Sequence, residues 1–176
     1  MKSGRAVLYP VYKGTMERKS KQPEPGFDTH RQAEYRIQLV KDFRRCIDYL
    51  ETRADIDSQR LAYYGLSFGG EWPAVIISAV EKRLKTSVLL AGGLRFTGRP
   101  EVNPINYISK VKLPTLMING KYDMKFDSHI KPMFDLLGTP ETDKVWEVYE
   151  TDHIPPQEKF IRDTLDWFDR YLGAVN

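Results

Sequence analysis

The sequence predicts an α/β fold with a mostly parallel sheet of about five strands and helices on both faces. Two observations support this prediction. Short apolar runs of strand length recur along the chain, and amphipathic segments of helical length separate most of them. Strands joined in this way form right-handed crossovers and lie side by side in parallel. With 176 residues, of which 41% are hydrophobic, the chain can build one core, so we expect a single domain over residues 1–176.

The predicted elements begin with a strand at residues 6–12, which Pro10 weakens because proline cannot donate to a ladder. Apolar residues then recur every three or four positions from 29 to 53, which indicates a long helix. A turn-forming Asp-Ser precedes the next strand, which ends near residue 64. Further strands are predicted at 86–91, 113–119 and 145–149, and further helices at 71–80, 128–137 and 156–172.

Composition excludes several classes of protein. The net charge of +3 comes from charged residues spread through both halves of the chain, which is not the concentrated basic face of a nucleic-acid binder. Cys46 is the only cysteine, so an internal disulfide is excluded, and its helical neighbours indicate a core position. Only a short apolar run follows the first residues, so we expect neither a signal peptide nor a membrane span, and a soluble, cytoplasmic protein.

The most informative segment is Gly-Leu-Ser-Phe-Gly at residues 65–69. It lies between a predicted strand and a helix that has Pro73 in its first turn, where proline is tolerated. This is the context of a nucleophile elbow, in which a strained turn exposes a serine, here Ser67, and glycines are expected two positions to either side. The alternative is a plain glycine-rich connection, because the short pattern also occurs by chance.

A serine hydroxyl becomes a nucleophile when an imidazole accepts its proton and an acid orients that imidazole. Of the three histidines, His153 follows the last predicted strand and precedes the last helix, so it lies at the edge of the sheet where Ser67 is expected. His30 and His129 open helices and are interpreted as surface or capping residues.

The expected acid is Asp123, which follows the strand that ends near Gly120. Asp127 is better explained by the amino-terminal cap region of the next helix. Asp152 adjoins His153, and neighbouring side chains on an extended segment point apart, so it ranks third.

The order Ser67, Asp123, His153 is that of α/β-hydrolases. Together with Asp-Ser-Gln-Arg at 57–60, Pro-Thr-Leu-Met-Ile-Asn-Gly at 114–120 and Asp-His at 152–153, it resembles the carboxyl-terminal part of an α/β-hydrolase of the dienelactone hydrolase and prolyl oligopeptidase type. The resemblance covers about residues 5–172. Dienelactone hydrolases proper carry cysteine as the nucleophile, so Ser67 points to esterase or peptidase relatives.

The resemblance implies a truncated α/β-hydrolase, because family members have further strands ahead of the first one predicted here. A loop after one of those strands donates half of the oxyanion hole. The backbone N–H of Phe68 is expected to supply one donor, and Tyr12 is a candidate for the second. The apolar edge of the first predicted strand would invite pairing with another copy, so we expect a homodimer through this strand or the loop at 13–29.

The stretch at 94–112 is too short and too rich in proline for a helical lid, so an open site is expected. We predict hydrolysis of small, short-acyl esters through an acyl-serine, with no metal or cofactor. The alternatives are a catalytically weak or inactive fragment with a structural or interaction role, and a peptidase-like hydrolase. Apolar residues that are candidates for the walls of the site, and equally for the core, are Leu66, Trp72, Leu94, Phe96 and Ile154.

Overall fold

A parallel sheet forms the centre of the computed structural model, which describes residues 3–19, 26 and 28–175. Within these residues the sheet has four strands, in the order β1-β2-β3-β4, and every neighbouring pair is parallel. The predicted α/β fold is therefore confirmed, with one strand fewer than expected. The strands are β1 (Leu61–Leu66), β2 (Leu84–Leu90), β3 (Thr115–Gly120) and β4 (Lys144–Tyr149).

The helices are α1 (His30–Glu51), α2 (Trp72–Val80), α3 (Lys131–Leu136) and α4 (Gln157–Leu172). The side chain of Thr29 caps α1 by accepting a hydrogen bond from the Gln32 N–H at 3.1 Å. At the other end of the chain α4 stops before Gly173, whose φ of 82° suits a helix terminus. Among the described residues, none of the helices is both long enough and apolar enough to cross a bilayer.

The helix predicted at 128–137 is interrupted. A π-helical turn, Phe126–Ile130, comes first, and the Ile130 N–H donates to the carbonyl of Lys125 at 3.1 Å. The α-helix α3 starts only at Lys131. Pro132 has no N–H to donate to the preceding turn, so a continuous α-helix across this position would lose a hydrogen bond.

Helices cover both faces of the sheet, as predicted. Leu89 of β2 and Met117 of β3 belong to a buried cluster that includes side chains of α1, α2 and α3. Their neighbours Val88 and Leu116 belong to a second buried cluster, built around Trp167 of α4. Successive side chains of a strand point to opposite faces, so each strand contributes to both layers.

The strand predicted at residues 6–12 is absent, and that prediction was wrong. The segment has no regular structure, and Val7 and Tyr9 are 70% and 76% exposed. The guanidinium of Arg5 pairs with Asp169 of α4, so the start of the segment is tied to a helix rather than to the sheet. The proposed amino-terminal edge strand therefore does not exist, and β1 is the edge strand instead. The homodimer itself stays a prediction.

A buried carboxylate, that of Glu81, lies in the connection between α2 and β2 and pairs with two arginines. Glu81 is almost fully buried, and its Oε2 accepts hydrogen bonds from Arg83 at 2.7 Å and from Arg44 at 3.2 Å. The hydrogen bond from Arg83 is the largest effect, and it lowers the pKa of Glu81 from 4.5 to about 2 although burial opposes it. Glu81 therefore stabilises the fold fully above pH 4.5, and this contribution is lost as the pH falls towards 2.

We expect Glu81→Gln to lower the free energy of unfolding at neutral pH by about 2 kcal/mol, because two arginines lose their buried anion. Urea unfolding of the parent and the variant at pH 7 and pH 3 measures the difference. We expect the difference in the free energy of unfolding between parent and variant to be smaller at pH 3, where the Glu81 carboxylate has lost part of its stabilising contribution. Glu150→Gln is the control, since Glu150 forms an exposed pair with Lys121. An equal difference in the free energy of unfolding at both pH values would contradict a stabilising role for the ionised Glu81 carboxylate.

Candidate active site

Ser67 lies in a sharp turn directly after β1. It begins a 3-10 turn, Ser67–Gly70, and its φ of 50° lies in the left-handed region that side chains rarely adopt. A Cβ at position 65 would lie 2.2 Å from the carbonyl oxygen of Gly69, so only glycine fits there. The structure thus has the strand, strained turn and helix α2 that a nucleophile elbow requires.

The second glycine that the turn requires is not the one that the sequence pattern indicates. A Cβ at Gly69 would meet no atom closer than 3.9 Å, which is ordinary contact. A Cβ at Gly70 would lie 3.0 Å from the Cα of Gly92, because the turn packs backbone to backbone against the loop after β2. Gly65 and Gly70 are therefore the positions where the elbow needs glycine.

The three side chains predicted to work together form one hydrogen-bonded chain. The Ser67 Oγ lies 2.9 Å from His153 Nε2, and His153 Nδ1 lies 2.5 Å from Asp123 Oδ2. Ser67 follows β1, Asp123 follows β3, and His153 lies in the loop between β4 and α4. The carboxyl ends of parallel strands meet at one edge of a sheet, which explains how residues so distant in sequence come together.

Asp123 is held by contacts on both carboxylate oxygens. Its Oδ1 accepts from the Lys125 N–H at 2.9 Å, and its Oδ2 contacts His153. Burial alone would raise the pKa of the Asp123 carboxyl, but the hydrogen bonds from His153 and the Lys125 N–H outweigh it and hold that pKa below its ordinary value. A carboxylate in this position favours a proton on Nδ1, which leaves Nε2 free to accept from Ser67.

The turn that carries Asp123 packs closely on the loop that carries His153. The Tyr122 N–H donates to the carbonyl of Thr151 at 3.0 Å, beyond the end of the β3–β4 ladder. A Cβ at Gly120 would lie only 1.5 Å from the carbonyl oxygen of Asp152, so the close approach of the two loops requires glycine at 120. Backbone contacts therefore fix the position of the loop that carries Asp123 relative to the loop that carries His153.

The rejected candidates lie elsewhere. Asp127 and Asp152 are exposed, and the contact with His153 Nδ1 belongs to Asp123. His129 Nδ1 lies 2.7 Å from the hydroxyl of Ser128, its neighbour in the chain, and His30 is the first residue of α1. In the described part of the chain, no group of three or more His, Cys, Asp or Glu side chains is arranged to hold a metal ion.

The two oxyanion candidates differ. The Phe68 N–H lies in the first turn of the 3-10 segment, where backbone donors have no partner within the helix. Tyr12 instead packs against a buried cluster of Leu39, Trp72 and Ile76, and burial raises its pKa. Within the described residues its hydroxyl makes no hydrogen bond with Ser67, Asp123 or His153, and its part in an oxyanion hole stays a prediction.

The predicted walls divide into two groups. Leu66, Phe96 and Ile154 are about half exposed and can line an open site. Trp72 and Leu94 are only 3% and 0% exposed, so for these two residues the structure favours the core position, which was the stated alternative to a wall of the site. The Trp72 ring instead packs edge-on against Phe68, at 5.7 Å between centroids, and so supports the residue that follows the serine.

One contact of the site was missed in the sequence. The Lys125 N–H is the second support of Asp123, and an aspartate two residues ahead of an N–H is a common turn arrangement. That local spacing was the signal that could have identified it.

Both the sequence and the fold are similar to those of known proteins. The model of the dienelactone hydrolase family matches residues 1–153. No curated protein matches the sequence.

Among solved structures, the fold resembles an acetyl xylan esterase from Paenibacillus sp. R4, with 19% identity and a TM-score of 0.63 over 78% of this chain and 54% of that one. It also resembles a dienelactone hydrolase from Anabaena variabilis, with 22% identity and a TM-score of 0.63 over 78% of this chain and 61% of that one. A third similar structure is a cold-adapted esterase from an Arctic intertidal metagenomic library, with 22% identity and a TM-score of 0.61 over 77% of this chain and 59% of that one. The chain thus spans between half and two thirds of the length of these three proteins.

Proposed function

The chain belongs to the dienelactone hydrolase family, and from this premise we propose that it is a serine esterase that cleaves small, short-acyl esters through an acyl-serine intermediate. The observation that carries the proposal is the hydrogen-bonded chain from Ser67 through His153 to Asp123, with 2.9 Å and 2.5 Å between the bonded atoms. These are the distances at which a proton can pass from a hydroxyl to an imidazole that a carboxylate orients.

In the proposed reaction His153 Nε2 accepts the Ser67 proton while Oγ attacks the ester carbonyl carbon. The Phe68 N–H donates to the oxygen that becomes negative, and Asp123 stabilises the imidazolium. The imidazolium then gives its proton to the departing alcohol, which leaves the acyl group on Ser67. Water, deprotonated by the same imidazole, attacks the acyl-serine, and the acid departs as the serine regains its proton.

The surroundings of Ser67 favour small esters. Between β2 and β3 the chain forms only three short 3-10 turns, at Pro100–Val102, Pro104–Asn106 and Ile108–Lys110, which do not make a helical lid. The half-exposed side chains of Leu66 and Ile154 offer a limited apolar surface, which suits a short acyl chain better than a long one. Two of the similar structures are named as esterases, which favours ester hydrolysis over other hydrolytic reactions.

The test combines a fluorophosphonate probe with a series of p-nitrophenyl esters from acetate to palmitate. We expect one probe molecule per chain, attached at Ser67, and a turnover that is highest with acetate or butyrate and falls with longer acyl groups. Faster cleavage of aminoacyl p-nitroanilides than of the esters would favour a peptidase. No labelling and no turnover by a folded protein would overturn the proposal and favour a structural role.

A further inference from the structure

A buried carboxylate lies at the end of the nucleophile elbow. Glu71 directly follows Gly70 and is 5% exposed. Its backbone N–H donates to the Phe68 carbonyl at 3.2 Å, so the position of the residue is fixed by the same turn that carries Ser67. Burying a carboxylate costs free energy unless cations or hydrogen-bond donors pair with it. The partners of Glu71 therefore indicate which segments it connects.

Two cations from two other loops meet this carboxylate. The Arg95 guanidinium, from the loop after β2, pairs with Oε2, and the Lys125 Nζ, from the turn after β3, donates to Oε1 at 3.3 Å. Glu71 therefore connects the segments that follow three neighbouring strands, at the edge of the sheet where the triad lies. Neither Arg95 nor Lys125 forms a second ion pair among the described residues, although the charge of Lys125 also acts on the Asp123 carboxylate.

The pair between Glu71 and Lys125 acts on the triad through one backbone bond. The Lys125 N–H donates to Asp123 Oδ1 at 2.9 Å, while Oδ2 of the same carboxylate contacts His153. If residue 125 shifts, the carboxylate loses one of its two fixed contacts and can rotate away from His153. The Lys125 side chain contacts Glu71, and the backbone of Glu71 is fixed by the turn that carries Ser67. This contact therefore opposes a shift of residue 125.

We propose that Glu71 is a positioning residue that, through Lys125, aligns Asp123 with His153 and so couples the nucleophile elbow to the acid of the triad. Its effect on rate rests on the proposed esterase function, but the alignment itself does not. Loss of the link lowers the rate of the chemical step and leaves substrate affinity nearly unchanged, because neither Glu71 nor Lys125 needs to touch the substrate for this effect.

The variants that test this are Glu71→Gln and Lys125→Met, with Lys125→Arg as the conservative variant. Lys121→Met is the matched control, because Lys121 lies in the same turn but pairs with the exposed Glu150 at 3.2 Å. With p-nitrophenyl acetate we expect kcat to fall about 10- to 100-fold in Glu71→Gln and Lys125→Met, with KM changed less than about 2-fold. Lys125→Arg recovers most of kcat, and Lys121→Met equals the parent.

Proton NMR gives a readout that does not depend on turnover. A short hydrogen bond from His153 Nδ1–H to a carboxylate produces a far-downfield proton resonance in the parent. We expect this resonance to weaken or move upfield in Glu71→Gln and Lys125→Met, and to persist in Lys121→Met.

The outcomes separate the two proposals. A parent protein that neither reacts with the probe nor turns over esters overturns the esterase, while the resonance still tests the alignment. An unchanged resonance and kcat in Glu71→Gln, with only a lower Tm, overturn the positioning role and leave Glu71 as a structural residue. Should Glu71→Gln fold poorly, Lys125→Met carries the same test at a partly exposed position.

Discussion

Replacing Ser67 with alanine is expected to remove ester hydrolysis almost completely, with a fall in kcat of about 10⁶-fold. The variant lacks the oxygen that attacks the carbonyl carbon, and among the residues that the structure describes no other hydroxyl contacts His153 Nε2. His153→Ala should lose nearly as much, because the two residues act as one unit and the serine proton then has no acceptor. Turnover of p-nitrophenyl acetate and the mass of the protein after fluorophosphonate treatment measure both effects.

The chain contains a matched control for this experiment. The hydroxyl of Ser128 also contacts an imidazole, that of His129, at 2.7 Å, but this pair is exposed. Ser128→Ala should therefore keep the parent rate and the parent labelling. The esterase assignment would fail if Ser67→Ala retained a tenth of the parent activity, or if Ser128→Ala abolished it.

The second large effect is expected for Asp123→Asn, with a fall in kcat of about 10⁴-fold at neutral pH. The single amide oxygen of asparagine should accept the hydrogen bond from the Lys125 N–H, which leaves the amide NH₂ facing His153 Nδ1. An NH₂ group there requires Nδ1 to be an acceptor, so the imidazole proton moves to Nε2. In that tautomer the imidazole cannot accept the proton of Ser67.

Because asparagine and aspartate have the same shape, Asp123→Asn should fold, which circular dichroism can verify. Asp127→Asn and Asp152→Asn are the controls, since both carboxylates are exposed and neither contacts His153 Nδ1. We expect both to keep the rate of the parent within a factor of about 3. A loss in Asp152→Asn equal to that in Asp123→Asn would transfer the role of the acid to residue 152.

That Ser67, Asp123 and His153 lie together could be predicted from the sequence because each position depends on local signals. Ser67 lies in a short motif, and Asp123 and His153 follow apolar runs whose strand character is unambiguous. A parallel sheet then brings the ends of such runs together, so a correct topology was sufficient to place the three residues near one another. Their hydrogen-bond distances needed the structure.

The errors occurred where the outcome depends on packing between distant segments. The run at 6–12 has strand composition, but a strand forms only when a neighbour pairs with it, and among the described residues this run, which contains Pro10 and follows an Arg5 paired with α4, has no strand beside it. For Trp72 and Leu94 the sequence left both a wall and a core position open, because residue type close to the motif does not distinguish the two. The contact of Glu71 with Lys125 joins residues 54 positions apart, which no local spacing indicates.

If the protein is the proposed esterase, the close approach of Gly120 to the Asp152 carbonyl limits how its specificity can be altered. An inserted or deleted residue in either loop would separate the two backbones and disturb the acid and the base together. Efforts to accept bulkier esters are therefore better directed at a side chain that projects from a strand end, such as that of Leu66 at the end of β1. Remodelling the loop before α4 would therefore disturb the position of His153.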